Sequence, residues 1–250
     1  MGELDGKVAI VTGGGSGQGE STAQVFAREG AKGILVADIS GRQEEVAAAI
    51  GSTAVPFKVD VTDEASVEAM YAAAVERFGK VDVVAHTAGI GHGGALIDLS
   101  IDDWNRVLSI NLTGVMLGTK HALRTMVPTG GGVILNWSSI GGMNGSRMPT
   151  SAYAAAKHGV IAITKQAAIE HGEQGIRANA ICPGFIETPM SGGKGAAERF
   201  PALVKGSALK RGAQPEEVAE LASFLASDRA SYITGAVIPI DGGSTAIISS

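Results

Sequence analysis

Tyr153 and Lys157 stand four residues apart, the spacing that sets two side chains on one face of a helix. A free phenol has a pKa near 10, so proton transfer by Tyr153 at neutral pH needs that value lowered to about 7, roughly 4 kcal/mol of help. A neighbouring ammonium favours the phenolate and supplies part of it. Alone the pair says little, because Tyr-x-x-x-Lys arises by chance on many helices. Far upstream, Thr12-Gly13-Gly14-Gly15-Ser16-Gly17-Gln18-Gly19 joins a β-branched run to a helical segment. Glycines in such a turn let the main chain approach a diphosphate, and the N–H groups and dipole of the following helix attract it. The run reads G-x-x-x-G-x-G, differs from G-x-G-x-x-G, and lacks the Lys-Ser/Thr ending of an ATP-binding loop.

Two carboxylates extend this cofactor reading. Asp38 closes the second β-branched run nineteen residues after Gly19, where a carboxylate can accept both hydroxyls of an adenosine ribose and repel a 2′-phosphate. With no Arg or Lys inside the glycine turn, NAD is favoured over NADP. A solvated strand-end or capping Asp is the plainer alternative, and Arg42 is expected to face solvent at the start of the next helix. Asp60, between Val59 and Val61, suits an adenine amino group, with a cap before Asp63 as the plainer alternative.

The elements that must position these residues alternate along the chain. Strands are predicted at Val8–Thr12, Ile34–Asp38, Val55–Val59, Val81–His86, Val133–Trp137, Arg177–Ile181 and Ala236–Ile240, several apolar on both faces as buried parallel strands are. Helices are predicted at Gly17–Glu29, Arg42–Ile50, Glu64–Phe78, Asp102–Met126, Ala152–His171 and Pro215–Ser227, with Asp63 and Ser100 as N-caps and Pro215 in a first turn. The reading is an α/β fold: one domain over residues 1–250, a Rossmann-type, doubly wound parallel sheet of about seven strands with helices on both faces. The glycine-rich stretch from Pro189 to Gly212, with a weak helical pattern at Ala196–Val204, breaks the rhythm as a lid does.

Composition narrows the classes further. Thirty-six glycines without a collagen period and only 8 prolines exclude fibrous architectures, and 45% hydrophobic against 18% charged residues excludes disorder. Twenty Lys+Arg against 25 Asp+Glu, a net −5 with no basic cluster, argue against nucleic acid as a partner. Cys182, the one cysteine, cannot make an internal disulfide or a zinc cage. Acids at Glu3 and Asp5 do not suit a secretory leader, and the charge-free stretch Thr125–Ser146 is too rich in Gly, Ser and Asn to span a bilayer. A cytoplasmic protein without membrane association is expected.

Taken together these motifs resemble the classical short-chain dehydrogenase/reductase family, over essentially all 250 residues. The family's diphosphate turn is matched by Thr12, Gly13, Gly17 and Gly19, with Ser16 and Gln18 between them. Its acidic NAD residue is matched by Asp38, followed by Ile39, and its adenine contact by Asp60 with Val61. Its Tyr-x-x-x-Lys is matched by Tyr153 and Lys157, its helix Asn looks like Asn111, and its strand-5 Ser looks like Ser139. Its Pro-Gly-x-x-x-Thr is matched by Pro183, Gly184 and Thr188, with Ile186 offering main chain to the nicotinamide carboxamide. Where the family has Asn-Asn-Ala-Gly this chain has His86-Thr87-Ala88-Gly89; Ala88 and Gly89 keep the close approach to the cofactor, and His86 stands in structurally for the strand-bracing Asn. The serine-to-tyrosine gap is one residue longer than usual, making Ser138 the lesser candidate, and Gln18 replaces the usual Ile or Leu, which should alter packing or a polar cofactor contact.

The resemblance implies that Tyr153 is the general acid/base, that Lys157 lowers its pKa and binds the nicotinamide ribose, that Ser139 holds the substrate oxygen, and that Asn111 anchors a water linking Lys157 to solvent. The expected reaction interconverts a secondary alcohol and a ketone with NAD. Substrate walls are expected at Gly91–Ala95, Ile140–Met148 and Pro189–Lys205, where Met143, Met148, Met190, Phe200 and Leu203 favour an apolar, cyclic or steroid-like molecule. The alternatives are an NADP-dependent 3-ketoacyl-type reductase and a non-catalytic dinucleotide sensor on the same fold. A homotetramer is implied by the resemblance and compatible with the apolar stretch Ala246–Ile248. His92 reads as an exposed loop residue, His121 and His171 form no metal pattern, and Cys182 reads as a small buried residue without a basic partner.

Overall fold

The computed structural model describes residues 2–91, 93–145, 148–199 and 201–246, with the main chain alone for Leu203. His92, Phe200, residues 146–147 of the second expected wall, and residues 247–248 of the apolar stretch lie outside the described residues.

Strand β1 (Val8–Thr12) is buried from end to end. Ala9 and Val11 enter one apolar cluster and Ile10 the other; in β2 (Gly33–Asp38), Ile34 and Val36 enter the first, Leu35 and Ala37 the second. Successive strand side chains point to opposite faces, so such strands need helices on both sides and parallel neighbours. The first cluster is closed by Ala23 and Phe26 of α1 (Gly17–Arg28), Val46 of α2 (Gln43–Ile50) and Leu225 of α9 (Pro215–Ala226). The second is closed by Met70 of α3 (Glu64–Phe78), Leu117 and Met126 of α5 (Gly114–Met126) and Ala167 of α6 (Ser151–His171).

With β3 (Ala54–Lys58), β4 (Val83–His86), β5 (Gly132–Trp137), β6 (Ile176–Pro183) and β7 (Val237–Ile240), the sheet has seven parallel strands in the order β3-β2-β1-β4-β5-β6-β7. The expected sheet and its two helical layers are borne out. The chain winds outward from β1 to β3, then returns to place β4 against β1, and this reversal opens a crevice at the carboxyl ends of those two strands. Asp63 and Ser100 cap α3 and the helix α4 (Ile101–Leu108) through Ala65 N and Asp103 N, as expected.

Most element ends fall within one residue of expectation, and three differences are larger. Strand β4 begins at Val83 instead of Val81. Strand β6 runs on to Pro183, because Cys182 and Pro183 still pair with Pro239 and Ile240 of β7. The single helix expected over Asp102–Met126 is divided into α4 (Ile101–Leu108), one wide π turn (Ser109–Thr113) and α5. The cause is Asn111, fully buried, whose amide is bonded twice to the main chain of Ile90, at 2.8 Å each way. An inserted residue in a helix accommodates such an inward pull.

The stretch from Pro189 to Gly212 carries a short 3-10 turn (Pro189–Ser191) and two four-residue helices, α7 (Ala196–Arg199) and α8 (Pro201–Val204). Glu187 ties it to the start of α9, accepting from Gly195 N and Ala197 N at 3.1 Å and from Gln214 Nε2 at 2.9 Å. Those donors hold its carboxyl below the usual range, with Gln214 contributing most.

Candidate active site

A cleft of about 390 Å³ lies over the β1/β4 crevice, lined by Gly13, Ser16, Gly17, Gln18, Gly19, Asp38, Ile39, Asp60, Val61, Ala88, Gly89 and Thr188 among others. Twelve expected cofactor residues are thus brought together. The glycines are required by contact: a Cβ on Gly19 would stand 2.2 Å from the Gly13 carbonyl oxygen, and one on Gly13, which has a positive φ, would stand 2.8 Å from Ala88 main chain. Turn and strand end are therefore packed main chain on main chain, leaving the helix N-terminus open to the cleft.

Asp38 uses both oxygens to shape the turn, accepting from Gly15 N at 3.0 Å and Ser40 N at 2.9 Å. Asp60 is not the cap of α3, which is Asp63. One oxygen accepts from Thr62 N and Thr62 Oγ1 in a local turn, while the residue also lines the cleft. Arg42 is exposed at the start of α2, as expected, and also lines the cleft together with Asp38. Thr188 lies against the glycine turn, 3.3 Å from where a Gly17 Cβ would be. Pro183, Gly184 and Ile186 do not line the cleft. The Ile186 carbonyl already accepts from Ser191 Oγ and Thr188 N, so it is the N–H of Ile186 that remains to meet a carboxamide.

These residues fit a dinucleotide: N–H groups and glycines for an anion, a carboxylate at the far strand end for a ribose, and a second carboxylate for a base. Among the described residues no group of three or more His, Cys, Asp or Glu side chains could hold a metal ion, and no helix is long and apolar enough to cross a membrane.

Asn111, Ser139, Tyr153 and Lys157 do not line this cleft themselves but lie past Gly89. A Cβ at Gly89 would stand 3.7 Å from Lys157 Nζ and 2.8 Å from Asn111 Oδ1. Lys157 is buried, donates to the Trp137 carbonyl at 2.7 Å, and lies 5.6 Å above the Tyr153 ring centre. Burial pushes its ammonium down to about 8. Ser139 Oγ accepts from Gly141 N at 3.1 Å, and a Cβ on Gly141 would stand 3.5 Å from that oxygen and 4.0 Å from the Tyr153 ring, so the two side chains border the same small space. Ser138 points the other way, its hydroxyl donating to the Lys157 carbonyl at 2.8 Å. Of the two serines, only Ser139 is therefore turned toward the phenol.

Two electrostatic expectations are corrected. Burial holds the Tyr153 phenol above its ordinary value, with the Ser139 hydrogen bond opposing it only in part. The ammonium faces the ring and is spent on a carbonyl, so desolvation outweighs it. Cys182, expected to lack a basic partner, lies within the field of Lys157, because β5 and β6 are neighbours; burial nonetheless pushes its thiol up.

His86 braces the sheet as expected, with Thr87 sharing the task. The Thr87 hydroxyl donates to the Thr12 carbonyl of β1, while His86 Nδ1 is bonded to Asn136 Oδ1 of β5 at 2.7 Å and Nε2 lies 3.2 Å from the Tyr71 hydroxyl. Asn136 accepts only through Oδ1, so Nδ1 carries the proton. Burial pushes the imidazole down to about 4. A free histidine takes its proton near 6.5, so its stabilising contribution is complete above pH 6.5 and is lost as pH falls from 6.5 to 4. Urea unfolding at pH 7 and pH 4.5 should show a loss of about 2–3 kcal/mol that the His86→Asn variant lacks; equal losses in both proteins would contradict it.

Comparison with known proteins settles the lineage. A family model described as enoyl-(acyl carrier protein) reductase, of the short-chain alcohol dehydrogenase type, matches residues 13–245. Cis-4-hydroxycyclohexanecarboxylate dehydrogenase of Sinomonas cyclohexanicum is 43% identical over 245 residues, covering 96% of this chain and 97% of the relative. The chain belongs to the short-chain dehydrogenase/reductase family. Another member, 3-oxoacyl-[acyl-carrier-protein] reductase FabG of Thermotoga maritima, is 39% identical over 96% of this chain and 98% of its own length. The crystal structure of levodione reductase superposes with a TM-score of 0.93 at 37% identity, covering 98% of this chain and all of that one. As a short-chain dehydrogenase/reductase the protein is an NAD(P)-dependent oxidoreductase acting on alcohols or ketones.

Sequence reasoning missed the cleft positions of Ser40, Ile90 and Ile110, and the role of Trp137, while Met190, expected on the substrate wall, lines this cleft. Trp137 carried a signal all the same, as a polar-edged aromatic ending a buried strand directly before the two serines.

Proposed function

We propose that this enzyme uses NAD to interconvert a mainly apolar, cyclic secondary alcohol and its ketone, with Tyr153 as general acid/base. The observation that carries the reading is the trio past Gly89: Ser139 Oγ and the Tyr153 ring both bordering Gly141, and Lys157 over that ring while within reach of Gly89. The dinucleotide supplies the hydride acceptor in oxidation and the donor in reduction. Ser139 holds the substrate oxygen. Tyr153 removes the alcohol proton as phenolate or returns it as phenol, and Lys157 stabilises the phenolate and binds the nicotinamide ribose. Asn111 has both amide atoms committed to Ile90, so a water on the proton path rests on its main chain.

NAD is favoured by Asp38. The apolar substrate is favoured by the way the walls meet: Gly91 packs near Met190, and Gly94 N bonds the Pro149 carbonyl at 2.7 Å. A relative named for a hydroxylated cyclohexane ring supports a cyclic one. We further propose a single domain with a lid at 189–212, a cytoplasmic location, and a homotetramer, to which the exposed Leu96, Ile97 and Ile101 are suited. The family model's description and the FabG relative favour a second reading, an NADP-dependent ketoacyl-type reductase.

A screen of ring and open-chain secondary alcohols with NAD and NADP separates these readings. NADH formation from ring alcohols is the expected result. Turnover confined to acyl thioester ketones with NADPH would establish the second reading, and binding without any turnover would leave a sensor.

A further inference from the structure

Gln18 presents the cleft with a side-chain donor whose direction is fixed by chemistry. The indole N–H of Trp137 can only donate, and it lies 3.0 Å from Gln18 Oε1. The amide oxygen must therefore face Trp137, and Nε2 with its two hydrogens faces away. Among the described residues that nitrogen meets no acceptor, while Gln18 itself lines the cleft. Trp137 is a firm anchor: it is buried at the end of β5, paired with Ile181, and its own carbonyl receives Lys157 Nζ. Gln18 is also the second residue of α1, a twelve-residue helix. The unpaired main-chain N–H groups and the helix dipole at that end of α1 draw an anion toward the turn that carries this amide.

We propose that Gln18 Nε2 donates a hydrogen bond to the diphosphate of the bound dinucleotide, and that the Trp137 indole holds the amide ready for it. Gln18 is then a binding residue and Trp137 a positioning residue acting through it. The inference rests on the reading of the cleft as a dinucleotide site, and it explains the departure from the aliphatic residue usual in the family's turn. Ordering the amide before binding removes the rotamer cost that a free glutamine would meet on contact.

The test is calorimetric titration of NADH and of ADP-ribose, which keeps the diphosphate but lacks nicotinamide, into the whole protein and three variants. Gln18→Leu is expected to weaken both ligands about tenfold or more, the usual effect of losing a hydrogen bond to a charged group. Gln18→Glu still accepts from the indole but sets a carboxylate against the diphosphate, and should bind more weakly than Gln18→Leu. Trp137→Phe should weaken both about threefold, and adding it to Gln18→Leu should cost nothing more. Melting temperatures show that each variant is folded. ADP-ribose binding within twofold of wild type in both Gln18 variants would overturn the proposal, as would losses confined to NADH, which would place the contact on nicotinamide. Failure of the wild type to bind either ligand would remove the cofactor reading itself and this inference with it.

Discussion

Tyr153→Phe is expected to lower turnover by about 10²–10⁴-fold, the usual worth of a positioned acid/base, while NADH binds within about twofold of wild type. The substitution removes one oxygen and keeps the ring beneath Lys157, so cofactor contacts and packing persist. What disappears is the hydroxyl that would exchange the proton. The pH profile should report the pair. Oxidation needs a phenolate beside an ammonium, which contains one proton fewer than the resting pair of phenol and ammonium. Because burial holds the phenol high and brings Lys157 down to about 8, that proton leaves the pair near pH 8. Oxidation is then expected to rise about tenfold per pH unit below 8 and to level off above it. Reduction needs the fully protonated pair, so it should stay flat to about pH 8 and then decline. Unchanged turnover in Tyr153→Phe would remove the catalytic assignment, and an oxidation rate independent of pH from 6 to 8 would remove its electrostatic basis.

The parts legible in the sequence are those that the local chain dictates. Val8–Thr12 reads as a buried parallel strand because both its faces are apolar, and the turn after it is legible because only glycine permits the contacts at Gly13 and Gly19. Tyr153 and Lys157 were legible as a pair by helical spacing. Their acidities were not, since the neighbour is a matter of spacing while burial is a matter of what β5, β6 and the α4–α5 segment pack around them. The π turn was hidden because one helical period runs smoothly through Ser109–Thr113, and its cause, Asn111 on Ile90, spans two elements. Cys182 beside Lys157 and Gln18 on Trp137 are likewise products of strand order; the second joins residues 119 positions apart. The sheet follows from pattern, and the fine chemistry of the site follows from which strands the pattern brings together.

Asp38→Ala should reverse the cofactor preference. In the wild type NADH is expected to bind at least tenfold tighter than NADPH, because a carboxylate near a 2′-phosphate costs about 1–4 kcal/mol at contact distance. Asp38 also holds Gly15 N and Ser40 N, so alanine removes a ribose acceptor and loosens the turn, and NADH should weaken about tenfold. NADPH should gain instead, because Arg42 already stands on the same wall of the cleft and a guanidinium suits a phosphate well. Asp38→Asn separates these effects: it deletes the charge but keeps one acceptor oxygen, enough for Gly15 N or Ser40 N but not both. It should therefore admit NADPH with a smaller loss of NADH. Combining Asp38→Ala with Arg42→Ala should abolish the NADPH gain while leaving the NADH loss in place. A wild-type enzyme that binds both cofactors within threefold would show that Asp38 serves the turn alone, and that the discrimination must lie elsewhere on the cleft.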